Sequence, residues 1–96
     1  TMTDWLDTLD PTKVVTAIDQ LAASAPEYIA KQAGGDVRFA LWLHLVDRQL
    51  RRLVGVGHAD LVDCTWRDWF DSELSPREAV EQASEYDELL QMAAID

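Results

Sequence analysis

Apolar residues recur along this chain at steps of three and four and never alternate with polar ones, so the pattern predicts helices throughout and no strand. Thr3 is placed to cap a short first turn around Trp5 and Leu6. Asp10-Pro11 predicts a helix start, with Asp as N-cap and Pro where its missing N–H is not needed. Val14, Ile18, Leu21, Ala22 and Ala25 then share a face. Pro26 ends that helix and opens the next through Glu27, Tyr28 and Ile29, and Gly34-Gly35 stops it. Asp36 caps the third predicted helix, about residues 37–54. Its stripe is Phe39, Trp42, Leu43, Val46, Leu50 and Leu53. Leu41 and Leu45 widen the stripe until the first half is apolar nearly all round, the pattern of a central, buried helix. Its last turns carry Asp47, Arg48, Arg51 and Arg52. Arginines suit a negative helix end, and Asp47 stands i,i+4 from Arg51. Gly55 and Gly57 end the helix.

The second half continues in shorter pieces. His58 to Asp63 reads as a turn of helix with Leu61 and Val62 inward, and Thr65 as the cap of a short helix, Trp66 to Asp71. Ser75-Pro76-Arg77-Glu78 combines a capping box with Pro at the first helical position and predicts a last helix to about Ala94. On it Ala79, Val80, Ala83, Tyr86, Leu90 and Ala94 share one face, and Glu78, Glu81, Glu85 and Glu88 the opposite one. Leu89 and Met92 sit off the apolar face, as end residues or as contacts for a partner or a second copy. The expected architecture is all-α: a single domain over residues 1–96, a compact bundle of about four main helices with two short helical turns around residues 58–71.

From Val46 to Ala83 the residues run V-D-x-x-L-x-x-L-x-G, then D-L-x-D, then W-R-D-x-F-D, then S-P-x-E-A. The matching positions are Val46, Asp47, Leu50, Leu53 and Gly55, then Asp60, Leu61 and Asp63, then Trp66, Arg67, Asp68, Phe70 and Asp71, then Ser75, Pro76, Glu78 and Ala79. This order resembles a group of small uncharacterised proteins common in bacteriophages, notably those of actinobacteria, and in related bacterial genomes. Val62 stands where the group has Pro, and Glu73-Leu74 where Gly is usual. The resemblance implies a phage or mobile-element origin and no activity.

Charge changes the picture most. The chain is 96 residues long with net charge −10. Residues 1–59 hold seven acids and six bases, and residues 60–96 eleven acids and two bases. Such a C-terminal half argues against direct nucleic-acid binding and favours a basic protein partner. No apolar run reaches the roughly 18–20 residues of a membrane span. The N-terminus shows no basic stretch followed by an apolar one, so no secretory signal is expected. Thr1 ahead of Met2 is expected to be an addition to the native start. Cys64, the single cysteine, excludes an internal disulfide framework and suggests a reducing, cytoplasmic setting.

Candidate chemistry is sparse. His58, Asp60, Asp63 and Cys64 are ligand types, but structural zinc sites want paired Cys or His at close spacing. A capped turn, with Asp60 and Asp63 accepting backbone N–H bonds, is the expectation, and no metal or cofactor. His44, inside LWLHLV, has no Ser or Cys at a motif spacing. Nothing beside Cys64 activates its thiol. Gly55-x-Gly57 lacks the further Gly and the Lys of a phosphate loop. An enzyme is not expected.

Trp66, Trp69 and Phe70 stand at i, i+3 and i+4, so all three can cover the central helix. Alternatively they form a candidate protein interface, with Asp63, Asp68, Asp71 and Glu73 as an acidic rim that selects a basic partner. Arg48, Arg51 and Arg52, the one basic cluster, are expected to satisfy the helix end and to pair with the acidic turn that follows. The functional expectation is a small acidic protein-interaction module, a phage accessory protein binding a host protein in the host cytoplasm. The alternative is a DNA-mimic inhibitor built on the stripe Glu78, Glu81, Glu85 and Glu88. That stripe spans ~15 Å at 1.5 Å per residue, where duplex DNA carries roughly nine charges.

Overall fold

The third helix, Val37–Val54, is the piece that the other elements cover. The structure, a computed structural model, describes residues 5–61 and 64–86. In chain order the α-helices are α1 Pro11–Ser24, α2 Pro26–Gln32, α3 Val37–Val54, α4 Trp66–Asp71 and α5 Pro76–Ala83. Single 3-10 turns occupy Trp5–Thr8 and His58–Asp60, and no strand occurs among the described residues. The all-α expectation holds.

The starts are written in side chains. The Asp10 carboxylate accepts from Thr12 N at 2.9 Å, and Asp36 accepts from both Arg38 N and Phe39 N at 3.1 Å. Each satisfies N–H groups that the first helical turn leaves without partners. Ser75 and Glu78 close both halves of the predicted capping box. Thr65 precedes α4 but makes no side-chain capping bond. The stops of α2, α3 and α4 use left-handed backbone. Gly55, at φ 77°, donates its N–H to the Arg51 carbonyl and ends α3.

Around α3 the core gathers Phe39, Trp42, Leu43, Val46 and Leu50 with Leu6, Val14, Leu21, Ile29 and Leu61. Trp66, Phe70, Ala79, Val80 and Ala83 close it from the C-terminal side. Leu6 is fully buried, and the Asp7–Arg38 ion pair at 2.9 Å ties its turn to α3. The predicted stripe overreaches at Leu53, which is 54% exposed. Ala22 is also exposed.

α5 is shorter than the pattern predicts. It ends at Ala83, and residues 84–86 continue as turns closed by Glu85 N to Gln82 O and Tyr86 N to Ala83 O. Ser84 promotes this by turning its hydroxyl back onto the Glu81 carbonyl at 2.6 Å. Of the expected helical turn over residues 58–63, His58–Asp60 form a 3-10 turn and Leu61 follows it outside any helix. Thr3, Val62, Asp63, Glu88, Leu89, Leu90, Met92 and Ala94 lie outside the described residues.

The end of α4 stores strain. Glu73 has φ 66°, the one non-glycine with positive φ among the described residues. Its N–H bonds the Phe70 carbonyl, and Leu74 N bonds Trp69 O, the paired closure of a helix terminus that glycine usually makes. A left-handed non-glycine costs roughly 1–2 kcal/mol, of which glycine's extra freedom in the unfolded chain returns about half. Glu73→Gly is therefore expected to stabilise the fold by about 0.5 kcal/mol, or about 2–4 °C in Tm for a chain this size. Glu73→Val is expected to lower Tm. Thermal unfolding followed by circular dichroism checks both, and a lower Tm for Glu73→Gly would contradict the account.

Candidate functional site

α4 is less than two turns long, and its aromatics at 66, 69 and 70 share one side of it but reach the core to different depths. Trp66 and Phe70 face inward. The Phe70 ring lies 5.2 Å from Phe39 and 5.6 Å from Trp42, and Trp66 lies 6.5 Å from Trp42, centroid to centroid. Both are buried, so neither offers a surface to a partner. The Trp66 Nε1–H makes no hydrogen bond although it is buried, which costs about 1–3 kcal/mol. Trp69 is half-buried at the margin. Its ring packs 5.1 Å from Trp66 on one side and 6.2 Å from Tyr86 on the other. Tyr86 is 61% exposed. The aromatic part of the candidate interface is thus Trp69 with Tyr86, a residue that the pattern had assigned to the buried face of the last helix.

The acidic rim divides as well. Asp68, Asp71 and Glu73 are exposed, and Asp63 lies outside the described residues. Asp71 stands 3.3 Å from Arg67. Arg67 also reaches Asp36 at 2.8 Å and lies over the Phe39 and Phe70 rings, so it fastens α4 to the start of α3. Burial pushes the Asp36 carboxyl up. The Phe39 N–H and the Arg67 guanidinium more than offset this and hold it below the ordinary Asp range.

Of the acidic stripe, Glu78 and Glu81 lie on α5 and Glu85 in the turn beyond it, all exposed; Glu88 falls outside the described residues. Glu78 accepts from Ser75 N at 3.0 Å, and that bond holds its carboxyl below the usual Glu value. Glu81 stands 3.6 Å from Arg77. Glu78 and Glu81 therefore both have local partners.

The most ordered polar cluster is one that the pattern misassigned. Asp47 is 2% exposed, the one charged residue in the core among the described residues. Its Oδ2 accepts from the Tyr28 hydroxyl at 2.5 Å. Its Oδ1 accepts from the His58 backbone N–H at 2.7 Å and lies 2.8 Å from His58 Nδ1. It is not bonded to Arg51, the i,i+4 neighbour expected to hold it. The missed signal was spacing: Asp47 stands four residues after Leu43 and three before Leu50, on the buried face. Burial alone raises the Asp47 carboxyl, but the bonds from His58 and Tyr28 prevail and hold it below the ordinary value. Tyr28 is pushed well up, by burial first and by its bond to Asp47 second. Gly57 must be small here, since a Cβ would stand 3.1 Å from Asp47 Oδ1.

His58 is thereby a fastening residue, with its ring and its backbone N–H both turned onto Asp47. Its turn also borders a cleft of about 370 Å³ whose walls include Gln32, Cys64 and Trp66. His44 packs edge-on to Tyr28 at 6.5 Å. Among the described residues no three His, Cys, Asp or Glu side chains stand close enough to hold a metal ion. No helix there is long and apolar enough to cross a membrane.

Over 45 residues the chain is 40% identical to the Gene 87 protein of Mycobacterium phage D29, a match covering 47% of this chain and 83% of that relative. The chain belongs to the Gene 87 protein family. No family model and no solved structure matches it. Membership makes this a small phage protein. The relative's name carries no activity, so function within the Gene 87 family rests on the surfaces described here.

The Asp47 cluster generates a stability prediction. Asp47→Ala leaves the Tyr28 hydroxyl and the His58 N–H groups without an acceptor and is expected to cost about 2–4 kcal/mol in urea unfolding at neutral pH. Asp47, Asp36 and Glu78 are all held below their ordinary values. Their contribution is present above the unfolded carboxylate range, about pH 4, and is lost as pH falls through the lower folded values. The gap between the native protein and Asp47→Asn should therefore narrow as pH is lowered below about 4. A constant gap would mean that the carboxylate's charge is not what matters.

Proposed function

We propose that this phage protein is a protein-interaction module that docks a basic surface of a host protein through the Trp69–Tyr86 edge. The observation that carries this reading is the exposure of the Tyr86 ring against a half-buried Trp69. Aromatic side chains fixed by packing lose little freedom on binding and dominate interface energetics. Trp69 is held by Trp66 beneath it, so one face of the edge is ordered before a partner arrives. Asp68, Glu73 and Glu85 are exposed on the same stretch of chain, from α4 to the turn after α5. They favour a partner rich in Lys and Arg, and they steer its approach at low ionic strength.

The geometry lends less support to DNA mimicry. Imitating a duplex asks for carboxylates free to meet a DNA-binding cleft at close spacing. Glu78 is engaged in its capping box, and Arg77 places a positive charge beside Glu81.

Affinity capture from a mycobacterial lysate, comparing the native protein with Tyr86→Ala and Trp69→Ala, tests the proposal. A specific partner is expected on the native protein and absent or at least about tenfold weaker on both variants, with unchanged circular dichroism. Raising salt should weaken capture, since an acidic rim acts through screened charge. Recovery of the same partner at the same level on all three proteins would remove the edge from the interface.

A further inference from the structure

The basic residues of this acidic chain are not spread evenly over its surface. Eight bases face eighteen acids in the sequence. Arg38 and Arg67 tie elements together through Asp7, Asp36 and Asp71. Arg48, Arg52 and Arg77 instead line one cleft of about 490 Å³ where α3 meets the start of α5. Trp5, Leu45 and Pro76 contribute to its walls. A second cleft of about 440 Å³ shares Gln49, Arg52 and Arg77 with the first and adds Leu53, Val80 and, paired with Arg77, Glu81. The two form one groove along α3.

With Asp63 of the acidic turn expected to meet them outside the described residues, Arg48 and Arg52 are exposed and form no ion pair among those residues. They stand at i,i+4, where like charges destabilise a helix by about 0.2–0.5 kcal/mol. Arg77 sits in the first turn of α5, the end of a helix that disfavours a cation. Its one partner, Glu81 at 3.6 Å, forms an exposed pair that a competing carboxylate can displace at little cost. Three guanidiniums therefore border one groove, although Arg48 and Arg52 repel each other and Arg77 stands at the positive end of α5. Leu45 and Leu53, the latter 54% exposed, stand on α3 on either side of Arg48 and Arg52.

We propose that this groove binds an acidic, amphipathic peptide segment of a partner protein. Carboxylates of the segment meet Arg48, Arg52 and Arg77, and its apolar side chains meet Trp5, Leu45 and Leu53. From Leu45 to Leu53 the groove runs ~12 Å along α3, enough for about two helical turns or three to four extended residues. An open groove leaves a small metabolite largely exposed, whereas metabolite sites enclose most of their ligand. A nucleic acid running the length of the groove would carry phosphates past Glu81 at its α5 side, whereas a short segment can place its few carboxylates on Arg48, Arg52 and Arg77. The proposal uses no residue of the Trp69–Tyr86 edge.

The test measures fluorescence anisotropy of a short labelled peptide alternating Glu with Leu. Competitors are the same peptide with Lys for Glu, polyglutamate, inorganic phosphate and a short DNA duplex. The native protein is expected to bind the Glu–Leu peptide, to release it as salt rises, and to bind each competitor at least about tenfold more weakly. Arg48→Glu with Arg52→Glu is expected to lose binding by at least about tenfold at unchanged Tm. Arg48→Ala with Arg52→Ala serves if the reversal disturbs the fold. Trp69→Ala and Tyr86→Ala should leave peptide binding unchanged, so this proposal and the edge interface fail separately. No binding of the Glu–Leu peptide, equal binding by the arginine variants, or tighter binding of phosphate or duplex would overturn it.

Discussion

Trp42 lies at 0% exposure in the middle of α3, and its Nε1–H donates to the Leu74 carbonyl at 2.9 Å. A buried indole N–H needs an acceptor, and the nearest helix end supplies one. That acceptor belongs to Leu74, the single residue between the strained end of α4 at Glu73 and the cap of α5 at Ser75. One hydrogen bond thus sets where both C-terminal helices meet α3. The same ring packs against Phe39, Trp66 and Phe70, so α4 is held by contact from Trp42 while the chain beyond it is held by direction. Since α3 is apolar nearly all round, a misplaced α4 would leave Trp42 and Phe39 facing water. The covering of this helix therefore dictates positions that α4, six residues long, could not choose by its own propensity.

Asp47 does for the other side of α3 what Trp42 does for this one. A buried carboxylate is weak evidence for stability, because an apolar residue of similar size often packs as well. Its value lies in exclusivity. Tyr28 from α2 and His58 from the loop after α3 must both arrive, or a charge is buried without partners. Two elements that share few apolar residues are thereby fixed by directional bonds. Gly57 is the concession the backbone makes to let the loop approach so closely.

Much of this was legible in the sequence, and for identifiable reasons. Asp10, Asp36 and Ser75 cap where their residue types say they should, because capping is a local bond between a side chain and the next three residues. The α3 stripe was legible down to Leu50, because burial on both sides follows from an apolar circumference. What failed was long-range or one turn deep. Asp47 was read as a surface partner of Arg51, since Tyr28 and His58 stand 19 and 11 residues away and no local pattern joins them. Tyr86 was assigned to a buried face because helical phase was extended through Ser84, where the helix in fact gives way to turns. Within the candidate interface, spacing allowed all three aromatics of α4 to face inward. The structure turns two of them inward and leaves Trp69 between core and surface, a distinction of one-third of a turn that hydrophobicity cannot resolve.

Net charge was the least informative of the global numbers. A charge of −10 suggests a uniformly anionic surface. At physiological ionic strength, however, a surface charge is felt over about 8 Å, roughly a turn and a half of helix. What a partner meets is decided by the side chains within that radius. α5 shows how sharply the field can change, for Arg77 and Glu81 face each other one turn apart. Arg48 and Arg52 line the clefts that Arg77 borders, while Glu78 and Glu85 are exposed on α5 and the turn after it. A chain of this kind can repel a polyanion as a whole and still present a cationic groove to a short segment, because the repulsion acts on the length of the ligand and the attraction on its contact.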